Sequence, residues 1–191
     1  FKIKKTPKDF LKDSNIIIWT TTPWTIPANR ALAFNSGIEY SLVEINNLED
    51  FKEKKIIVAT NLLDSVVKAC GIKKFEILKT FNGAEFEGTI CTHPFQSLGF
   101  NFDVPMLDAR FVTLEQGTGI VHCAPSHGPD DFNLCLKHNI SSKYTVDNSG
   151  YYTNEIPFFS KTHVFKADPI VIDKLKELKK LLKNDKLQHS Y

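Results

Sequence analysis

Two stretches of this sequence carry residue types that strand packing alone does not demand. The first, Trp19-Thr20-Thr21-Thr22-Pro23-Trp24-Thr25-Ile26-Pro27-Ala28-Asn29, places four hydroxyls and two prolines after an apolar run. Proline fixes the backbone and removes a donor, so the segment has a definite path from which threonine hydroxyls and free amides project. Taken alone, it also reads as a strand end followed by a rigid turn. The second stretch is Gly117-Thr118-Gly119-Ile120-Val121-His122-Cys123-Ala124-Pro125-Ser126-His127-Gly128-Pro129-Asp130-Asp131. There a glycine-flanked strand delivers His122 to its end, a loop turns, and a helix opens with two carboxylates.

Several chemistries compete for the second stretch. Adjacent strand residues face opposite sides, so His122 and Cys123 make a poor base and nucleophile pair. Neighbouring helical residues diverge by about 100°, so only one of Asp130 and Asp131 can face a pocket. A metal-dependent hydrolase built on His122, His127 and Asp131 is an alternative, although the spacing is not one that puts ligands on one helix face. Ser126 lacks the G-x-S-x-G turn that would present it as a nucleophile in a triad with His122 and Asp131. Gly117-Thr118-Gly119 has no following Gly-Lys-Thr, which excludes a phosphate loop of that type. The isolated His93, His138, His163 and His189 read as packing or surface residues.

Short β-branched or aromatic runs bounded by Gly, Pro or Asn must position these stretches. They are expected as strands over 15–22, 30–35, 39–45, 55–59, 75–81, 87–92, 110–113 and 119–123. Many short strands with few helices suggest a barrel or folded-over sheet rather than a doubly wound parallel one. Helices are expected over 61–70, closed by Gly71 in a left-handed cap, from Pro129 onward, and over 170–182 with a solvated lysine-rich face. The loop 141–159 is the expected mobile segment.

At 191 residues, with 42% hydrophobic and 12% aromatic content, the chain can bury a core and is expected to form a single domain over 1–191. Its 24 basic and 22 acidic side chains nearly balance, which argues against RNA coating by phosphate neutralisation alone and makes any RNA recognition local. Apolar runs fall far short of the roughly 20 residues that cross a bilayer. The absence of an initiator methionine at Phe1 suggests a piece excised from a longer protein. Cys70, Cys91, Cys123 and Cys135 form no C-x-x-C pair, and reduced thiols in a cytoplasmic compartment fit them best.

In this order and at this distance, W-T-T-T-P-W-T-I-P-A-N and G-T-G-I-V-H-C-A-P-S-H-G-P-D-D resemble the editing domain of isoleucyl-tRNA synthetase, a module inserted in a class I synthetase. The resemblance extends over essentially the whole chain: Met106 to Thr113 fits the approach to the second motif, and Gln188-His189-Ser190-Tyr191 the return toward the catalytic domain. The valyl and leucyl relatives usually carry Arg where this chain has Thr22, and Trp24 and Asn29 also favour the isoleucyl member. No H-I-G-H or K-M-S-K-S signature occurs, so the family's means of binding ATP and forming the adenylate is absent from this chain.

The resemblance implies a mainly β, α+β domain of the β-barrel editing type. It implies hydrolysis of valine mischarged onto isoleucine tRNA, and possible action on valyl-adenylate. The partners implied are the tRNA 3′ end and the rest of the parent synthetase, with no cofactor or metal in this domain and no membrane. A second site is needed because one methylene is worth only about 1–3 kcal/mol in an apolar pocket, a limit that isoleucyl-tRNA synthetase itself illustrates. The pocket residues carried over are Thr20, Thr21, Thr22, Thr25, Asn29, His122 and Asp131. Asp131 would bind the α-ammonium, while His122 and the Thr22 methyl would wall the side-chain pocket. The Thr20 to Thr25 segment would hold the terminal adenosine and a water, which assigns catalytic parts to Asp131, Thr25 and His122 and leaves the general base open. A non-catalytic β-barrel module that binds single-stranded RNA ends is the remaining alternative.

Overall fold

The computed structural model describes residues 1–46 and 48–185. The chain is α+β, with two sheets and few helices. Strands β1 (Ile3–Lys5), β7 (Ile90–Thr92), β8 (Asp103–Asp108), β3 (Ala31–Phe34) and β9 (Val121–Cys123) form one sheet, in the order β1-β7-β8-β3-β9. Strands β2 (Asn15–Ile16), β5 (Lys55–Ala59), β4 (Glu39–Ile45) and β6 (Phe75–Asn82) form the other, in the order β2-β5-β4-β6. This is the expected α+β class, and of the two arrangements expected, a barrel or a folded-over sheet, the sheets are not closed into a barrel but pack as two open sheets around a shared core.

Strand β3 shows why the core sits where it does. It lies between β8, which it pairs in parallel, and β9, which it pairs antiparallel, and all four of its residues are buried. Side chains alternate across a strand, so Leu32 and Phe34 enter the main cluster with Ile16, Ile57 and Phe86. Ala31 and Ala33 face the other way, where their small size lets Leu134 and Cys135 of α2 (Pro129–Lys137) pack close. Register Leu32↔His122 then fixes His122 on the Leu32 side, and Ala31↔Cys123 fixes Cys123 beneath the helix.

Helix α1 (Leu63–Cys70) buries Leu63 and Val66 and ends at Gly71, whose φ of 64° is the left-handed cap its sequence suggested. Helix α3 occupies Ala167–Glu177 rather than 170–182. Pro169 falls in its first turn, where an N–H would have no intrahelical partner, and Lys179 at φ 57° leaves the helical region. Its buried residues Ala167, Val171 and Leu175 recur at helical spacing and meet Ile26, Ala28, Tyr152, Ile156 and Phe159.

Other expectations fail locally. Only Asn15 and Ile16 of the 15–22 run pair as strand, because beyond Ile17 the chain leaves β5 and its carbonyl is taken by the Thr118 hydroxyl at 2.7 Å. The run 110–113 is a turn; the strand is Asp103–Asp108, masked in the sequence by Pro105. Strand β1 was not anticipated and is created by pairing with β7. The segment 141–159 is folded in place, with Tyr152, Ile156 and Phe159 fully buried. The expectation for Gln188 to Tyr191, His189 included, lies outside the described residues. Among the described residues no helix is long and apolar enough to cross a membrane, and the four cysteines are free thiols.

Candidate active site

The two motif stretches meet at His122. Pro23 to Ala28 winds into a 3₁₀ turn with Pro23 at its start, and this turn brings Thr25 and Asn29 to the same buried imidazole. The Thr25 hydroxyl has one proton, and it donates that proton to the Thr22 carbonyl at 2.9 Å. It therefore accepts from His122 Nε2–H, 2.9 Å away. The opposite nitrogen, Nδ1, faces the Asn29 side-chain amide at 3.4 Å and accepts from it. His122 is thus held as the neutral Nε2–H tautomer, and burial pushes its pKa down to about 4.

Asn29 is 0% exposed. Its amide protons go to the Ala31 carbonyl at 2.9 Å and to His122, so it positions the ring rather than lining open space. Among the described residues, its Oδ1 is buried without a hydrogen-bond partner. Thr20 and Thr22 bond each other through their hydroxyls at 3.2 Å, and Thr20 also accepts the Thr22 amide N–H at 3.0 Å. Thr20, Thr21 and Thr22 are half-buried at the mouth of the turn.

Asp131 is joined to the same loop from the other side. It lies in the first turn of α2, where the helix dipole favours a carboxylate, and its Oδ2 accepts the Ala124 amide N–H at 2.8 Å. Burial nevertheless raises its pKa, with Asp130 adding to the rise and the Ala124 bond opposing it. An incoming cation would favour the ionised form. Asp131 is tethered two residues beyond His122, on the Cys123 and Cys135 side of β9, and makes no hydrogen bond to the threonine turn. Asp130 is exposed, as expected if only one of the pair turns inward.

The glycines of the second motif set the distance between the stretches. Gly119 has φ +75°, and a Cβ there would come 2.4 Å from Ala59 Cβ on β5. Its carbonyl accepts the Tyr40 hydroxyl, and the neighbouring Thr118 carbonyl accepts Ala59 N–H, both at 2.8 Å. Gly117, at φ +82°, lies against the Trp19 ring. The turn itself is gripped at Trp24, whose N–H is accepted by Asp168 of α3 at 2.8 Å and whose carbonyl accepts the Tyr152 hydroxyl. Sequence reasoning missed Asp168 and Tyr152 because they lie far along the chain in segments without a motif.

The metal alternative does not find a ligand set. Nε2 of His122 bonds Thr25, Nε2 of His127 meets Thr145 Oγ1 at 2.9 Å, and Asp131 is bound to Ala124. Among the described residues no three metal-ligating side chains cluster. Ser126 bonds Ser142 at 3.0 Å and donates to the Lys143 carbonyl, with no hydrogen bond to His122 or Asp131, so no triad forms. Beside the His122 to Asp131 loop, Pro125, Ser126, His127 and Phe132 face Ser142 to Val146 across an open cavity of about 460 Å³.

Comparison with known proteins gives this arrangement a family. Residues 12–184 match the family described as leucyl-tRNA synthetase, editing domain. The chain is 60% identical over 191 residues to isoleucine–tRNA ligase of Pelagibacter ubique, covering 100% of this chain and 21% of that protein. It is 42% identical over 175 residues to the enzyme of Haemophilus influenzae, covering 92% of this chain and 18% of that protein. The chain thus spans about a fifth of the length of these curated relatives. The crystal structure of GlLeuRS-CP1 shares the fold, with a TM-score of 0.69 at 14% identity, covering 92% of this chain and 85% of that one. The cytosolic leucyl-tRNA synthetase editing domain of P. falciparum does so with a TM-score of 0.53 at 16% identity, covering 91% and 68%. The chain belongs to the leucyl-tRNA synthetase editing-domain family, as an editing domain of the isoleucyl type.

Proposed function

We propose that this domain hydrolyses the ester of valine mischarged onto isoleucine tRNA, as one domain of a larger cytoplasmic isoleucyl-tRNA synthetase. The observation that carries the reading is the grip of Thr25 and Asn29 on the two nitrogens of His122, which joins the two motif stretches at one buried ring. A ring held in one tautomer and one orientation is a firm wall, and a firm wall can sieve by size where a soft one yields.

In this reading Asp131 receives the α-ammonium of the esterified amino acid, and its ionised form is drawn out by that charge. The Thr22 methyl and the His122 ring exclude the larger isoleucine side chain. Hydroxyls and amides of Thr20, Thr21 and Thr22 hold the terminal adenosine and orient a water at the ester carbonyl. Thr25 acts through His122 and through the Thr22 carbonyl, and Asn29 acts through His122. His122 is a poor general base, because burial has already lowered its basicity. Rate enhancement then comes from positioning and from donors aimed at the developing oxyanion, chemistry that calls for no cofactor in this domain.

The test is deacylation of valyl-tRNA specific for isoleucine by the full-length protein that carries this chain. Release of valine with isoleucyl-tRNA spared is the expected result. Equal release of both amino acids would overturn the sieve, and release of neither would overturn the activity.

A further inference from the structure

We propose that His93 is a positioning residue for the editing site, holding the threonine turn in register through the Ile26 carbonyl; the functional side of this rests on the hydrolytic reading above.

His93 lies just beyond β7, far in sequence from both motifs, and its ring is buried among aromatic side chains. It stacks on Phe100 with ring centres 4.6 Å apart and planes 11° off parallel, with Phe1, Phe95 and Phe102 around it. A phenylalanine would fill such a place without carrying two polar nitrogens out of water. What the imidazole adds is directional. Its Nδ1 accepts the Phe95 N–H at 3.1 Å, which leaves Nε2 as the protonated nitrogen. Nε2–H then donates to the Ile26 carbonyl at 3.0 Å.

Ile26 immediately follows Thr25 and stands three residues before Asn29, the two residues that hold His122. Its carbonyl also accepts the Asn29 backbone N–H at 3.0 Å. Without the His93 donor, the turn keeps that internal bond but loses its tie to the β7 side of the five-stranded sheet. A tilt of the turn would carry Thr25 and Asn29 with it and rotate the His122 wall. Asp168 and Tyr152 fix the front of the turn at Trp24, and His93 fixes its rear.

Three variants separate this role from packing, assayed in the full-length protein on valyl-tRNA specific for isoleucine with thermal unfolding alongside. His93→Phe keeps the volume and loses both bonds. His93→Gln places an amide donor near the Nε2 position and can still reach Ile26. His93→Asn places its carbonyl near Nδ1 and can satisfy only Phe95. The expected result is a kcat about 10- to 100-fold lower for His93→Phe and His93→Asn, since small misplacements of catalytic groups cost that much, with KM within about twofold. His93→Gln is expected to recover most of the wild-type kcat. If His93→Phe does not fold, the Gln and Asn variants decide. Equal kcat in those two, a loss confined to KM, or wild-type kcat in His93→Phe would overturn the proposal. Wild-type protein that releases no valine would instead overturn the hydrolytic reading on which the assay depends.

Discussion

Thr25 Oγ1 and His122 Nε2 lie 2.9 Å apart across 97 residues of chain, and the threonine proton is already given to the Thr22 carbonyl. The bond to Thr22 sets the direction of the contact with the ring, and the two together place the ring proton on Nε2 and tie the two motifs at one point. Thr25→Val keeps the shape and removes the acceptor, leaving a buried N–H unpaired at a cost of about 1–3 kcal/mol. Urea denaturation should show that loss, and Thr25→Ser should restore most of it. A valine variant as stable as the wild type would mean that the hydroxyl does not hold the ring.

Asp131 combines a structural bond to Ala124 N–H with a charge that no cation pairs among the described residues. Asp131→Asn can keep an oxygen acceptor for Ala124 while removing the charge, whereas Asp131→Ala removes both. The asparagine variant should melt close to the wild type yet lose valyl-tRNA deacylation by about 100-fold, the scale of a lost charge-assisted contact of about 1.5–3 kcal/mol. An unchanged rate in that variant would take the ammonium-binding role from Asp131.

Acid should weaken the fold well above the ordinary carboxylate range. Burial lowers His122 from 6.5 to about 4 and His93 from 6.5 to about 3. The unfolded chain therefore takes up protons near pH 6.5 that the folded chain refuses, so the stability these rings allow is present above pH 6.5 and lost as pH falls toward about 4 for His122 and about 3 for His93. Asp131, whose pKa is raised, works in the opposite sense at the lower end of this window. Urea midpoints measured across these pH values should fall on acidification, and fall less in His93→Gln. A midpoint that stays level throughout would contradict the neutral, buried state of both rings.

Gly119 and Gly117 share a positive φ but not the same surroundings. An alanine at 119 would set its Cβ 2.4 Å from Ala59 Cβ, while one at 117 would meet only the Trp19 ring at 3.5 Å. Gly117→Ala should cost about 1–2 kcal/mol from backbone strain alone. Gly119→Ala should cost more than that and reduce editing as well, because relieving the clash pushes β9, and His122 with it, away from β5. Thermal unfolding of the two variants compares them directly.

How much of this was legible beforehand depended on the range of the interaction. Helix α1 and its Gly71 cap, the start of α2 at Pro129 and strands β4 and β5 follow from patterns within a few residues of each other, where propensity and periodicity act. Strand β1 and the strand containing Pro105 exist because partners arrive from elsewhere, and no local signal announces a partner. The 141–159 segment looked loose because its anchors Tyr152, Ile156 and Phe159 are spaced irregularly, and only the surface they meet on α3 and the threonine turn makes them a core.

The sequence by itself determined which two stretches to bring forward as candidates for the site, since a proline-bounded threonine run and a Gly-flanked histidine before an acidic helix start are chemical choices visible in the residues. Tertiary structure decided what those residues are in place: a neutral His122 with its proton on Nε2, an Asn29 that serves the ring, an Asp131 tied to Ala124, and a turn gripped by His93, Asp168 and Tyr152. Protonation, tautomer and orientation depend on burial and on partners distant in the chain, and those are fixed only when the sheets bring the segments together.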